Sequence, residues 1–541
     1  MYYSKFCFVG VTGSSTVTLY TGGENVKKVL FIKNAAILTA TALILRCIGI
    51  FFRVWLSSAI SAEGMGLYQI VISVYVLAGT FATSGICTAV TRIITERLAE
   101  NDHKAVSKTL KISVLLSFII AAATSLLIVS FSDFISVYLI QDERAATSIR
   151  ILCIGLPFIG VCSCLRGYFI AARSTAFPSV CQLFEQIIRI IIIVYLVGKF
   201  ASKGMEATAA AVMFGDVASE AGGAVLLYIF YKASSKRKNS EKSGITGRGI
   251  LKEILRISMP ISLGRYLHTA LRTAENLITP VCLSKYNVSK STGLTQFGMI
   301  KGMALPLLLF PASLLTAVST LLVPEITESA AKQNKAAIKY ASEKVFYITF
   351  VMSFMIAGLF FTLSDEIGIL VYKNPEVGYI LKALSPLIPF MYADLIADGI
   401  LKGLDQQKFL FRSNVTDSSV RVVLVILLVP KMGVTGFLAV MLFSNLFTSI
   451  ISVFRIVKVT GCKFNILSLI LKPAAATALS SVITMALFEN AKTNRLFYTA
   501  VAGVSVIAIY FIVMILTGAL NMKDSVITRE IGRKIKTKKA A

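Results

Sequence analysis

The sequence predicts an all-α membrane protein of about fourteen transmembrane helices, arranged as two parallel six-helix repeats plus two C-terminal helices. Three observations carry this reading: an apolar composition, a one-sided placement of Lys and Arg, and an internal repeat. Of 541 residues, 56% are hydrophobic and 15% charged, and the mean hydropathy is +0.76. Such a chain is too apolar to hide its side chains in one soluble core, and a bilayer is the solvent that fits. A hydrocarbon layer ~30 Å thick, crossed at ~1.5 Å per residue, asks for about 20 mostly apolar residues per helix. Fourteen such stretches lie near residues 34–58, 67–91, 110–131, 149–171, 180–198, 206–230, 254–280, 302–322, 344–363, 378–401, 414–430, 434–457, 469–488 and 496–519. Their length and lack of two-residue alternation point to helices rather than a barrel.

Taken in order, residues 1–32 form a cytoplasmic extension expected to lack fixed structure. Its one short apolar run, Phe6 to Val11, is no secretory signal. Gly22-Gly23-Glu24 would be encoded by purine-rich codons resembling a ribosome-binding site, which predicts a start near Val26. Residues 33–231 make the N-terminal six-helix lobe, 232–249 a basic cytoplasmic linker, and 250–458 the C-terminal six-helix lobe. Residues 459–520 supply two additional helices and 521–541 a basic cytoplasmic tail.

The net charge of +27 would suggest nucleic acid in a soluble protein, but position decides otherwise. With an internal N-terminus, Lys and Arg fall overwhelmingly on one side, the bias that places both termini in the cytoplasm of an inner (plasma) membrane protein. Lys232, Lys236, Arg237, Lys238 and Lys242 in the linker, and Lys534, Lys536, Lys538 and Lys539 in the tail, are the densest clusters. They read as orientation signals drawn to anionic headgroups, with no nucleic-acid partner. Among the nine cysteines, Cys47, Cys87, Cys153, Cys162, Cys164 and Cys181 sit in or beside apolar helices without CxxC or paired His. Small core-filling residues explain them better than disulfides or metal.

A repeat organises the chain. Ile94-Thr95-Glu96 matches Ile326-Thr327-Glu328 at a shift of 232 residues, as do Ala105-Val106 with Ala337-Ile338 and Pro157-Phe158 with Pro389-Phe390. Gly167 meets Gly399 and the pair Glu185/Arg189 meets Asp417/Arg421 at the same shift. For the first helix of each half the shift is 219, where Arg46 and Arg53 meet Arg265 and Arg272; a longer loop from Ser284 to Lys301 accounts for the difference. Six helices per repeat is an even number, so both halves enter from the same side, and substrate belongs at their interface near mid-membrane.

An Arg at the centre of a spanning helix costs roughly 2.5–3.5 kcal/mol to insert, so each needs a partner or a wet cavity. The first span carries Arg46 and Arg53, two turns apart on one face. The seventh carries Arg265, His268, Arg272 and Glu275, spaced i, i+3, i+7 and i+10 as a single polar stripe. Guanidinium groups suit phosphate because their planar donors can engage its oxygens bidentately, so Arg46, Arg53, Arg265 and Arg272 are the candidate substrate-binding residues. Glu185 with Arg189, and Asp417 with Arg421, have helical spacing for structural ion pairs, as does Arg272 with Glu275. His268, Glu275, Asp394 and Asp398 are candidates for coupling or for structure, and Asp398 also stands one turn from Lys402. Asp216 and Glu220 are further acids within a span that could relay protons or bind a coupling cation, H+ or Na+. Pro306 and Pro311 interrupt the eighth span and are plausible hinge points. There is no GxxxxGK[ST], GxSxG, HExxH or zinc-like Cys/His spacing, so a transporter rather than an enzyme is expected, with no cofactor and no metal.

The run from Ile37 through Ile48-Gly49 and Arg53 to Glu63-Gly64-Met65-Gly66-Leu67-Tyr68-Gln69, with Ser84-Gly85-Ile86 and Thr88-Ala89-Val90, resembles the stage V sporulation protein B-like polysaccharide biosynthesis and export family. Arg166-Gly167-Tyr168-Phe169, Glu185-Gln186-Ile187-Ile188-Arg189, Glu275-Asn276-Leu277-Ile278, Gly302-Met303-Ala304-Leu305-Pro306 and Leu322-Val323-Pro324-Glu325-Ile326 extend the resemblance over roughly residues 33–520. It places the chain in the multidrug/oligosaccharidyl-lipid/polysaccharide exporter superfamily and implies two six-helix lobes, with extra C-terminal helices, around a central cavity. In its lipid II flippase relatives cationic cavity residues are thought to hold a pyrophosphate, a role that would fall here on Arg46 and Arg53. The chain departs from many relatives at Ile170-Ala171, where a Gln-Gly pair is usual, and at Glu275, where some have Asp.

These readings converge on a flippase of an anionic lipid-linked cell-envelope precursor, an undecaprenyl-pyrophosphate-linked peptidoglycan or polysaccharide unit, working by alternating access, with spore cortex synthesis as an expected setting. Its expected partners are that glycan, membrane lipids and a coupling ion. The alternative is a cation-coupled multidrug antiporter of the same superfamily, which should present unpaired carboxylates at mid-membrane.

Overall fold

The computed structural model describes residues 24–234, 246–462, 464–488 and 495–519, with side chains from residue 39 onward. The expectations for residues 1–23, for Lys236, Arg237, Lys238 and Lys242, and for the tail 521–541 fall outside these. In chain order the helices are α1 (Glu24–Thr83), α2 (Ile86–Ala99), α3 (His103–Ser130), α4 (Ser132–Phe134), α5 (Ala145–Cys153), α6 (Leu156–Ala171), α7 (Ala176–Phe200), α8 (Met205–Ser234) and α9 (Gly247–Asn287). They continue as α10 (Lys290–Phe297), α11 (Leu305–Leu308), α12 (Ala312–Ala331), α13 (Lys335–Tyr372), α14 (Pro375–Leu384), α15 (Ile388–Gly403), α16 (Gln407–Thr460), α17 (Lys472–Leu487) and α18 (Arg495–Leu516). Among the described residues there is no strand, as a bilayer requires of a chain that does not close a barrel.

Nine of the described helical segments are long and apolar enough to cross a membrane, or up to eleven if each bent pair counts as one span. Two of the nine, Thr39–Ala99 and Gln407–Thr460, are long enough for two crossings, and non-helical residues interrupt them at Ser61 (φ 64°) and Gly433 (φ 58°). α9 has 41 residues, but its polar stripe keeps it out of the apolar set. One bent pair, α5 with α6, turns by 40° between Cys153 and Leu156; the other turns by 61° between Leu308 and Ala312, at Pro311. The hinge reading of Pro311 thus coincides with a bend, while Pro306 closely follows the π-helical turn Gly298–Ala304 inside the continuous helical run Lys290–Leu308, which is not broken there. The segment expected as a loop from Ser284 to Lys301 is largely helical instead. Ser289 caps α10 by accepting from the Thr292 N–H, and a π-helical turn follows at Gly298–Ala304.

The repeat is written into the backbone. Asn101 and Gln333, Gln141 and Lys373, and Arg173 and Asp405 are pairs of left-handed residues, each separated by the same shift of 232. Asp102 caps α3 by accepting from the Ala105 N–H at 2.8 Å, and Asn334 caps α13 by accepting from the Ala337 N–H at 3.0 Å. Gly167 and Gly399 permit matching close approaches: a Cβ there would lie 3.1 Å from the Cys87 carbonyl oxygen and 2.9 Å from that of Ser319.

The described chain packs as two compact units, Met1–Ser313 with Phe411–Met441, and Leu314–Leu410 with Leu442–Ala541. In the first, Ile86, Val90 and Ile94 of α2 meet Leu165 and Phe169 of α6 and Leu227 of α8, while Ala89 and Ile93 meet Ile250 and Ile254 of α9. In the second, α17 and α18 close over α13: the Tyr510 hydroxyl donates to the Val351 carbonyl at 2.9 Å and Thr477 Oγ1 to that of Phe354 at 2.9 Å. The two extra helices therefore pack on this unit. Large apolar residues such as Phe51, Phe118, Leu126, Ile191 and Phe454 are exposed, as lipid-facing side chains should be. Some buried hydroxyls return to their own helix backbone, as Ser113 does to the Thr109 carbonyl, and others bond a neighbouring helix, as Ser117 does to the Ala82 carbonyl.

Candidate functional site

The first unit gathers nearly all the charged residues singled out in the sequence. On α1, Arg46 and Arg53 are half-buried, and among the described residues neither has a carboxylate within ion-pair distance. Arg53 lies within electrostatic reach of Tyr68, as do Arg189 and Asp216.

Around Arg189 the structure corrects the expected pairing of Glu185 with Arg189. Those two do not bond to each other along α7. Arg189 Nε reaches across to Asp216 Oδ1 on α8 at 2.9 Å and has weaker contacts to Ser219 and Gln186. Glu185 accepts from Arg166 of α6 through both carboxylate oxygens, each at 2.8 Å. Asp216 is 5% exposed. One turn further along α8, Glu220 accepts a hydrogen bond from the Tyr75 hydroxyl of α1. The physical reason is range: a pair on one helix gains only a few tenths of a kcal/mol, whereas a buried guanidinium needs a well-aimed carboxylate.

A second charge node forms on α9 and α16. Glu275, whose side chain is 5% exposed, accepts from Arg421 Nη2 at 2.6 Å and from Lys301 Nζ at 3.2 Å. Arg421 thus reaches beyond its own helix, where Asp417 stands one turn before it. Arg272 is exposed and adds its field to Glu275 without an ion pair, so the spacing-based pairing of these two is not realised. Arg265 and His268 of α9 are half-buried, and each has an interacting partner. Asn276 and Thr273 fix this face of α9 against Ser73 of α1, donating to its Oγ at 2.9 Å and its carbonyl at 3.1 Å.

Sequence reasoning did not single out Lys301. The available signal was a lone cation inside the apolar run Phe297–Leu309, which must find an acid when that run enters a membrane. Nor did it place Arg166. In the second unit, Asp398 pairs with Lys402 at 2.5 Å, the salt bridge that its one-turn spacing allowed, and Asp394 Oδ1 accepts from Ser452 at 3.4 Å. In the connection that leads into the first bent span, Arg144 binds Asp142 at 2.6 Å and Glu63 at 2.7 Å. The hydrogen bond to Asp142, ahead of that to Glu63, holds its guanidinium above the ordinary Arg range despite partial burial. No group of three His, Cys, Asp or Glu suited to a metal occurs among the described residues.

An all-helical, multi-pass membrane protein with buried charge nodes is the class that fold and site define. Residues 31–329 match the family described as Polysaccharide biosynthesis protein, and residues 311–493 match a second family of that description. The chain belongs to the polysaccharide biosynthesis protein family. It is similar to stage V sporulation protein B of Bacillus subtilis (strain 168), 24% identical over 76% of this chain and 80% of that protein. It is also similar to the lipid II flippase MurJ of the same organism, 23% identical over 75% and 78%. Among solved structures, the fold is shared with lipid II flippase MurJ in an inward closed conformation (TM-score 0.68, 17% identity, 89% of this chain and 99% of that one). An inward-facing MATE family multidrug transporter of the MOP superfamily shares it too (TM-score 0.64, 14% identity, 78% and 94%).

Proposed function

We propose that the protein is a flippase that carries an anionic lipid-linked cell-envelope precursor from the inner to the outer leaflet by alternating access. Undecaprenyl-pyrophosphate-linked peptidoglycan or polysaccharide units are the substrates whose chemistry fits. The observation that carries the reading is the pair of half-buried guanidiniums on α1, Arg46 and Arg53, which have no carboxylate in ion-pair distance among the described residues. A membrane-embedded cation without an acid is costly, and a phosphate is the ligand that offsets that cost. Arg265 and Arg272 would extend the cationic surface from α9. The kinship with stage V sporulation protein B and with a lipid II flippase supports the substrate class, and the former supports a setting in spore envelope synthesis.

With this reading go fourteen spans, the two six-helix lobes at 33–231 and 250–458, an inner-membrane location with cytoplasmic termini, and a coupling ion. The test is reconstituted flipping of defined lipid-linked substrates by wild type, Arg46→Ala and Arg53→Ala. At least a tenfold loss is expected in each variant, about 1.4 kcal/mol of binding per factor of ten. Undiminished flipping in both removes the site. Ion-coupled efflux of organic cations without lipid movement establishes the antiporter instead.

A further inference from the structure

Three acids and two guanidiniums meet where α6, α7 and α8 pack beside α1. Glu185 is matched by Arg166 and Asp216 by Arg189. Glu220 is the acid left over: among the described residues no Lys, Arg or His comes within ion-pair distance of it, and its Oε2 accepts from the Tyr75 hydroxyl. The neighbouring acid is also incompletely satisfied, since Asp216 Oδ2 is buried with no hydrogen-bond partner among the described residues. The groups facing Glu220 are Tyr75 from α1, Glu185 and Arg189 from α7, Asp216 from α8 itself and Cys162 from α6. Arg53 also acts on this cluster, through Tyr68 beside Asp216, but Glu220 is the carboxylate with no cation in ion-pair contact among the described residues. In a low-dielectric span that charge is costly, and a proton removes it.

Position gives the charge a consequence. Gly155 lies in the 40° break of the first bent span, and a Cβ there would collide with the Tyr75 hydroxyl and lie 2.7 Å from Glu220 Oε2. The phenol and the carboxyl occupy the room that the glycine leaves, so the break is built directly against a titratable group. We propose that Glu220, gripped by Tyr75 against the break at Gly155, is a proton-binding site of this protein. A metal cation fits less well: the guanidinium of Arg189 shares the cluster and repels it, and no metal-suited group of ligands occurs among the described residues. The proposal rests on the transporter reading only for its use in coupling.

The test follows the C=O stretch of a neutral carboxyl by infrared difference spectroscopy on the full chain in proteoliposomes, as pH is stepped in choline and then in sodium buffer. Wild type should show a titrating band that Glu220→Gln abolishes. In Tyr75→Phe the carboxylate loses its hydrogen-bond donor, so the band should persist to higher pH by about one unit. A wild-type band in Glu220→Gln overturns the proposal, as does a titration that moves with sodium. Should Glu220→Gln not fold, Tyr75→Phe decides, and an unchanged titration there overturns it. The band needs no substrate, so a protein that titrates at Glu220 yet moves no lipid-linked precursor refutes the flippase reading alone.

Discussion

Arg189 and Arg421 occupy the same place in the two repeats, yet their surroundings carry opposite charge balance. Arg189 serves Asp216, with Glu220 one turn away, so two acids stand near one guanidinium. Arg421 shares the single carboxylate of Glu275 with Lys301, so two cations converge on one acid. The difference arises because the partner comes from another helix: α8 of the same repeat in the first case, and α9 with the π-helical turn Gly298–Ala304 in the second. A duplicated Arg therefore keeps its position while the neighbours set its electrostatic role. The acid-rich node is suited to the proposed proton, and the cation-rich node ties α9 to α16 and to the π-helical turn through Glu275.

The sharpest way to break this comparison is Glu275→Gln, which leaves Arg421 and Lys301 facing each other in a site whose side chains are at most 19% exposed. A loss of about 3–5 kcal/mol in denaturant titrations in mixed micelles is expected, and a change near zero would show that the node is not held by charge. Asp216→Asn should cost less, about 2 kcal/mol by the same measurement, because Arg189 is 24% exposed and retains Ser219 and Gln186. Gly223→Ala should cost about 1 kcal/mol, since a methyl there would collide with Glu185 and press it away from Arg166. The smallest effect calibrates the rest. Arg92 and Glu96 form a one-turn pair with side chains 58% and 51% exposed, and Arg92→Ala should change stability by about 0.5 kcal/mol or less. Should Arg92→Ala rival Asp216→Asn, burial is not what distinguishes the network from a surface pair.

The fold was more legible than the site. Helical spans were visible because a bilayer imposes length and hydropathy on each segment separately. The repeat was visible because its markers, the caps Asp102 and Asn334 and the left-handed turns near them, are local chemistry. The pairing of Glu185 with Arg189 was misread for the same reason: one-turn spacing is local evidence, and the stronger partners, Arg166 and Asp216, lie on neighbouring helices. Asp398 with Lys402 was legible because that pair stays on one helix near a span end.

The sequence by itself determined that this chain is a bundle of membrane helices with a duplicated core, and that guanidiniums would have to be sheltered within it. Hydrophobic transfer and backbone capping act over one helix at a time, so they can be read in one dimension. Only the tertiary structure decided which acid answers which cation, that Lys301 joins Glu275, and that Glu220 rests against a break in another span. Those matches depend on a few ångströms of side-chain reach between helices far apart in sequence, where low dielectric makes each match or mismatch worth several kcal/mol.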